Sequence, residues 1–187
     1  MTIALFYYDG FAEFEVALVH LLLHGKHKII AVALENRVYA SEEQQRFCID
    51  QVIKEVDIDS IDLLIIPGGN PAPLADNQEL KSFVEELVHK NKKIAGICGG
   101  ASLLAAFGIL DGKKCTGDSS GVDPKSDEGK YYAGAMVSSE YVVVDGKIIT
   151  AQGQAYAEFA VELAYQMGSI QNREECAEVL NWCKNIR

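Results

Sequence analysis

One cysteine stands where the chain changes its hydrophobic period. Ile94, Ala95 and Ile97 form an apolar run of strand length, Cys98 follows, and from Ala101 to Phe107 small and apolar residues continue at helical spacing. Gly99 and Gly100 come directly after the sulfur, which lets the backbone turn sharply where a side chain would clash. Such an elbow between strand and helix lifts the residue at its apex out of the sheet. It also leaves the first N–H groups of the helix beside the sulfur, where their partial positive charge favours thiolate over thiol. The competing reading is a buried structural cysteine, since Cys is among the most buried residue types. A structural cysteine does not need two glycines after it, so Cys98 is read as a nucleophilic or oxidisable thiol.

Two other segments supply groups that a thiolate could use. Glu13 and Glu15 fall in the first turn after the first strand. Offsetting a helix dipole suffices to explain Glu13. Glu15 lies between Phe14 and Val16 on a helix that must pack against a sheet, and a carboxyl beside a thiolate should hold a proton and donate a hydrogen bond to sulfur. Gly68-Gly69 follows a buried strand and Pro67. It reads either as a plain turn or as a source of N–H groups that, with the N–H of Gly99, would form an oxyanion pocket.

The elements that must position these groups alternate. Thr2 to Tyr8 reads as a strand ending at Asp9-Gly10, Ala12 to His24 as an amphipathic helix stopped by Gly25, and Lys28 to Leu34 as a buried strand. Glu35 to Val56 reads as edge structure with β-like pieces near Val38-Tyr39 and Phe47–Ile49. Leu63–Ile66 is a buried strand closed by Pro67-Gly68-Gly69, and Gln78 to Lys90 a helix. After the elbow, whose helix ends near Gly108, come a further strand at Lys113 to Thr116 and a polar loop from Gly117 to Lys130. Tyr141–Val144 and Lys147–Thr150 form a hairpin about Asp145-Gly146, and Ala155 to Met167 and Glu174 to Asn185 are helices. This alternation predicts an α/β fold with a mostly parallel sheet covered on both faces by right-handed crossovers. Ligand chemistry then lies outside the carboxyl ends of the strands, where Asp9–Glu15, Pro67–Pro73, Cys98–Gly100 and Ala151–Tyr156 arrive.

Composition narrows the function. The 187 residues, 49% of them hydrophobic, suit one domain over 1–187. A net charge of −10 opposes nucleic acid and anionic membranes as partners. The N-terminus lacks the pattern of a secretory signal, and the apolar run Val16–Leu23 is interrupted by His20 and too short to span a bilayer, so a cytoplasmic protein is expected. Five cysteines without a CxxC or a Cys/His cluster read as reduced thiols, with no metal and no cofactor expected.

Four ordered segments together resemble the ThiJ/PfpI family, of the class I glutamine amidotransferase-like superfamily. They are Asp9-Gly10-Phe11-Ala12-Glu13-Phe14-Glu15, Asp62–Gly69, Ile94-Ala95-Gly96-Ile97-Cys98-Gly99-Gly100 with Gly108–Gly112, and Asp145–Gly153 with the helix containing Phe159-Ala160. The resemblance implies a flavodoxin-like three-layer sandwich with a nucleophile elbow and a homodimer. It further implies Cys98 as the reactive, oxidation-sensitive cysteine, Glu15 as its hydrogen-bonded acid, and Gly69 and Gly99 as N–H donors to a bound oxygen.

Two departures qualify what is inherited. Members of the family carry histidine either directly after the cysteine, where this chain has Gly99, or in the loop after the next strand, where it has Cys115-Thr116-Gly117-Asp118. His20, His24, His27 and His89 all precede Cys98; His20 is five residues past Glu15 and so faces about 140° away around the helix. Peptidase and amidotransferase chemistry need a base that also delivers a proton to the leaving group, and are disfavoured. The expected function is action on small carbonyl compounds or their adducts by Cys98 with Glu15 as acid/base, of glyoxalase or deglycase type. The alternative is a non-enzymatic redox-sensing or chaperone-like protein using the same thiol.

Overall fold

The computed structural model describes residues 1–117, 122–123 and 125–186. Of the expected polar loop from Gly117 to Lys130, residues 118–121 and 124 lie outside that set, and so does Asp118 of the segment read for a second histidine position.

In chain order the strands and helices are β1 (Thr2–Phe6), α1 (Phe14–Leu23), β2 (Lys28–Ala33), β3 (Tyr39–Ala40), β4 (Arg46–Phe47), β5 (Gln51–Val52), β6 (Leu63–Ile66), α2 (Gln78–His89), β7 (Lys93–Ile97), α3 (Gly99–Ala106), β8 (Lys114–Cys115), β9 (Met136–Val137), β10 (Val142–Asp145), β11 (Ile148–Ala151), α4 (Tyr156–Gln166) and α5 (Arg173–Cys183). The central sheet has seven strands in the order β10-β11-β7-β6-β1-β2-β5, parallel except for the antiparallel β10–β11 hairpin. This is the α/β flavodoxin-like arrangement. Its inner strands are continuous apolar runs because both faces are covered: Leu63, Leu64, Ile65 and Ile66 of β6 are all fully buried.

Helix placement follows from which stripe is apolar. In α2, Leu80, Phe83, Val84 and Leu87 recur at the helical period and are the buried residues, while Asn77 caps the start by accepting the Leu80 N–H at 2.9 Å. In α4, Phe159 sits at 0% exposure among Ala157, Ala160, Leu163 and Ala164; truncating it to Ala would cost about 3–5 kcal/mol.

One sequence expectation holds and one changes. The segment Glu35 to Val56 is edge structure as read: β3 and β4 pair with each other, and β5 adds to the central sheet as its edge strand beside β2. The strand expected at Lys113 to Thr116 is only Lys114–Cys115 and lies outside the central sheet, paired in parallel with β9. The Lys114 N–H donates to the Asp145 carboxylate at 2.8 Å, which ties this small pair to the hairpin corner.

Candidate active site

The central strands end on a common rim, and the elbow sits in its middle. Cys98 has φ +52° and ψ −124°, a conformation that a residue with a side chain adopts only when its surroundings impose it. Its N–H donates to the Ala151 carbonyl of β11 at 2.9 Å, and its carbonyl accepts the Ala101 N–H at 3.0 Å as the first bond of α3. The turn is therefore clamped on both sides of the sulfur-bearing residue.

The two glycines after Cys98 serve close packing. A β-carbon at Gly100 would collide with the Ile66 carbonyl, and one at Gly99 would stand 2.7 Å from the Gly69 carbonyl oxygen and 2.8 Å from Cδ of Pro71. The first turn of α3 is thus pressed against the chain leaving β6.

Glu15 arrives from α1 and is only 2% exposed. Its Oε2 accepts the Gly68 N–H at 2.7 Å, and its carboxyl is hydrogen-bonded to the Cys98 side chain. Burial pushes this carboxyl up to about 7; the bonds from Gly68 and Cys98 pull it part of the way back, and the charges of Glu42 and Glu43 add to the rise. A buried carboxyl that holds its proton near neutrality can donate to sulfur, or to a substrate oxygen that replaces it. Glu13 is less buried, its backbone N–H donating to the Glu43 carboxylate at 3.1 Å, and it plays no part in this contact.

Gly68 and Gly69 have different tasks. A β-carbon at Gly68 would lie 2.7 Å from the Cys98 Cβ and 2.9 Å from Glu15 Oε1, so only glycine lets acid and thiol meet there. Gly69 has φ +103° and backs against Phe11 of the β1–α1 connection. That bridge runs through the Ala12 N–H to the Gly68 carbonyl (2.9 Å) and the Asn70 N–H to the Gly10 carbonyl (3.3 Å), which leaves the Gly69 N–H outside the ladder. The N–H of Gly99 opens α3, where no intrahelical acceptor exists. Cys98, Glu15, Gly69 and Gly99 are thus brought to one place.

Three further residues at the site carry roles that spacing does not show. Gly153, on the connection after β11, faces both partners: a β-carbon there would be 2.8 Å from Glu15 Oε1 and 3.2 Å from Cys98 Sγ. Tyr8, read only as the end of an apolar strand, is 4% exposed and sends its hydroxyl to the Pro67 and Gly68 carbonyls. Gln152 is buried, and its amide donates to Thr116 Oγ1 (3.3 Å) and to the carbonyls of Ser139 and Glu140 (both 3.2 Å), which anchors the segment carrying Gly153.

Beside the elbow opens a cavity of about 440 Å³, walled by Gly69, Asn70, Pro71, Ser102, Ala106 and Tyr131 with Asp127 and Glu128 among its lining. It is large enough for a small organic molecule. The histidines are engaged elsewhere: His20 with the Val16 carbonyl (3.3 Å), His24 with the His20 carbonyl (2.7 Å), and His27 with Ser169 Oγ (2.9 Å), while His89 ends α2. Among the described residues, no group of three His, Cys, Asp or Glu side chains is arranged to hold a metal ion, and no helix is long and apolar enough to cross a membrane.

The sequence matches the DJ-1/PfpI family over residues 1–166. A deglycase of Thermococcus kodakarensis is 28% identical over 153 residues, which cover 80% of this chain and 89% of that protein. Protein DJ-1 homolog D of Arabidopsis thaliana is 35% identical over 82 residues; these are 43% of this chain and span only 21% of that relative's length. The crystal structure of a DJ-1 superfamily protein from Agrobacterium tumefaciens is similar with a TM-score of 0.82 and 25% identity, each chain being covered in full at 100%.

Proposed function

The chain belongs to the DJ-1/PfpI family, and we propose that it is a deglycase-like enzyme acting on small carbonyl compounds or their adducts, with Cys98 as nucleophile and Glu15 as its proton donor. The observation that carries this reading is the buried carboxyl of Glu15, hydrogen-bonded to Cys98 and holding a proton near neutral pH. When the pair's one proton resides on the carboxyl, sulfur adds to the carbonyl carbon. The π electrons move to oxygen, which takes the proton from Glu15, leaving a hemithioacetal on Cys98 and a carboxylate on Glu15. The N–H groups of Gly69 and Gly99 suit the oxygen as its charge develops. The deglycase of Thermococcus kodakarensis, aligned over 89% of its length, supports the choice of reaction class. Loss of methylglyoxal with the wild type but not with Cys98→Ser tests it; equal rates would reject it.

A second reading is a cytoplasmic redox sensor or chaperone-like protein in which the same thiol is oxidised without turnover. It is favoured by one observation: all four histidines are placed away from the elbow, so an acid and a thiol stand there without the usual imidazole base. Peroxide modification of Cys98 with no carbonyl turnover would select it. Either reading is taken for a homodimer, as the family resemblance implies.

A further inference from the structure

Gly68-Gly69 is the least self-restrained dipeptide of the site, because neither residue has a side chain to limit its backbone. Yet two successive N–H groups there have to point in set directions, that of Gly68 at Glu15 and that of Gly69, on the proposed reaction, at the oxygen of the bound carbonyl. In a planar trans peptide the carbonyl and the following N–H point opposite ways, so holding a carbonyl aims the next N–H. The Pro67 carbonyl accepts from the Tyr8 hydroxyl at 3.1 Å, and the N–H across that peptide, of Gly68, reaches Glu15 Oε2 at 2.7 Å. The Gly68 carbonyl accepts from the same hydroxyl, which is nearer to it, and from the Ala12 N–H at 2.9 Å; across that peptide lies the N–H of Gly69.

We infer that Tyr8 is a positioning residue, whose hydroxyl holds two successive peptide planes so that one N–H serves Glu15 and the next serves the oxygen of the bound carbonyl. A phenol has one proton, which it shares between the two carbonyls, with Gly68 the closer acceptor. Burial and the neighbouring Glu15 and Cys98 raise its pKa far above the working range, so the hydroxyl stays a donor throughout. The ring contributes separately to packing, lying 6.1 Å from that of Phe6 and 6.3 Å from that of Phe11 between centroids. Tyr8→Phe keeps the ring and removes only the donor.

The inference rests on the proposed reaction for the role of Gly69, but its part concerning Glu15 can be tested without turnover. The experiment is the pH profile of iodoacetamide alkylation at Cys98 in the folded full chain, read by peptide mass spectrometry for the wild type, Tyr8→Phe and Tyr7→Phe. Tyr7 is as buried, lies on the same segment and stacks on Phe11 at 4.5 Å, so its variant reports the cost of losing any buried phenol there. Loosening the Gly68 N–H removes a bond that stabilises the carboxylate, so Glu15 keeps its proton to higher pH beside the sulfur, and Tyr8→Phe is expected to move the midpoint of thiolate alkylation downward by about one pH unit while Tyr7→Phe leaves it in place. A midpoint unchanged in Tyr8→Phe, or moved equally in both, overturns the inference. If Tyr8→Phe does not fold, a ring-fluorinated tyrosine at position 8 keeps the hydroxyl as a stronger donor. It should raise the midpoint, and an unmoved midpoint again overturns the idea. Where methylglyoxal is turned over, Tyr8→Phe should lower kcat about tenfold with little change in KM. A wild type that alkylates with this profile but turns nothing over refutes the proposed reaction and leaves the positioning role standing.

Discussion

A β-carbon placed on Gly153 would stand 3.2 Å from the sulfur of Cys98, although the two residues belong to different strand ends of the sheet. The same β-carbon would be 2.8 Å from Glu15 Oε1, too close to be absorbed without moving the carboxyl. Gly153→Ala is therefore expected to keep the fold by circular dichroism and to slow alkylation of Cys98 by about ten- to a hundredfold. A variant that alkylates at the wild-type rate would show that the thiol is approached from another side.

The five thiols should separate sharply in reactivity. Burial pushes Cys115 up to about 11 and also raises Cys176 and Cys183, which leaves exposed Cys48 as the competitor. We expect Cys98, though only half-buried, to be modified before Cys48 in a brief sub-stoichiometric pulse of peroxide or iodoacetamide. Glu15→Leu should slow that modification or change its pH profile. Peptide mass spectrometry checks the order, and Cys48 leading would end the case for an activated thiol.

Glu15 should also leave a mark on stability. Its carboxyl is pushed up to about 7 in the folded protein, against about 4.3 in an unfolded chain. Between these values the folded state binds a proton that the unfolded state has released, so the contribution is complete below the lower value and is lost as pH rises through the higher one. Relative to Glu15→Gln, which cannot ionise, the wild type should lose about 3 kcal/mol between about pH 5 and about pH 8. Urea titrations at both values check this; parallel changes in the two proteins would mean that the carboxyl ionises freely.

The backbone of Cys98 predicts an inversion of the ordinary order of substitutions. At φ +52° and ψ −124° a side chain costs about 1–3 kcal/mol, whereas glycine is at ease. Cys98→Gly should unfold at a higher temperature than Cys98→Ala, although both lose the thiol. The usual order, with Ala the more stable, would show that the elbow stores no strain.

How much of this was readable from the chain depends on the range of each contact. Cys98 and Glu15 stand out because local pattern marks them: a period change with Gly-Gly for one, a carboxylate on a packing helix for the other. Gly153 could be placed on the rim through its segment, but its approach to Sγ is set by the pairing of β7 with β11, which joins residues far apart in sequence. Tyr8 was hidden because a buried tyrosine at a strand end looks the same whether its hydroxyl meets water or two carbonyls. Gly68 was masked by Gly69, since a Gly-Gly pair does not say which N–H faces inward. The strand at Lys114–Cys115 was visible as a strand, but its partner β9 is an exposed pair, Met136 and Val137, with no strong pattern of its own.

Pairing of two copies is open to direct measurement. Light scattering should return about twice the chain mass of 20.4 kDa at micromolar concentration. A wild type that runs at the single-chain mass would dismiss the pairing.

The clamp on Cys98 has a consequence for how the protein is made. Its N–H bonds to the carbonyl of Ala151, and β7 has β11 as its neighbour on that side. Synthesis is vectorial, so the thiol leaves the ribosome about fifty residues ahead of the strand that closes over it. Through that interval the nascent chain carries a cysteine without its elbow, and whatever reactivity the elbow confers is switched on only once β11 has followed.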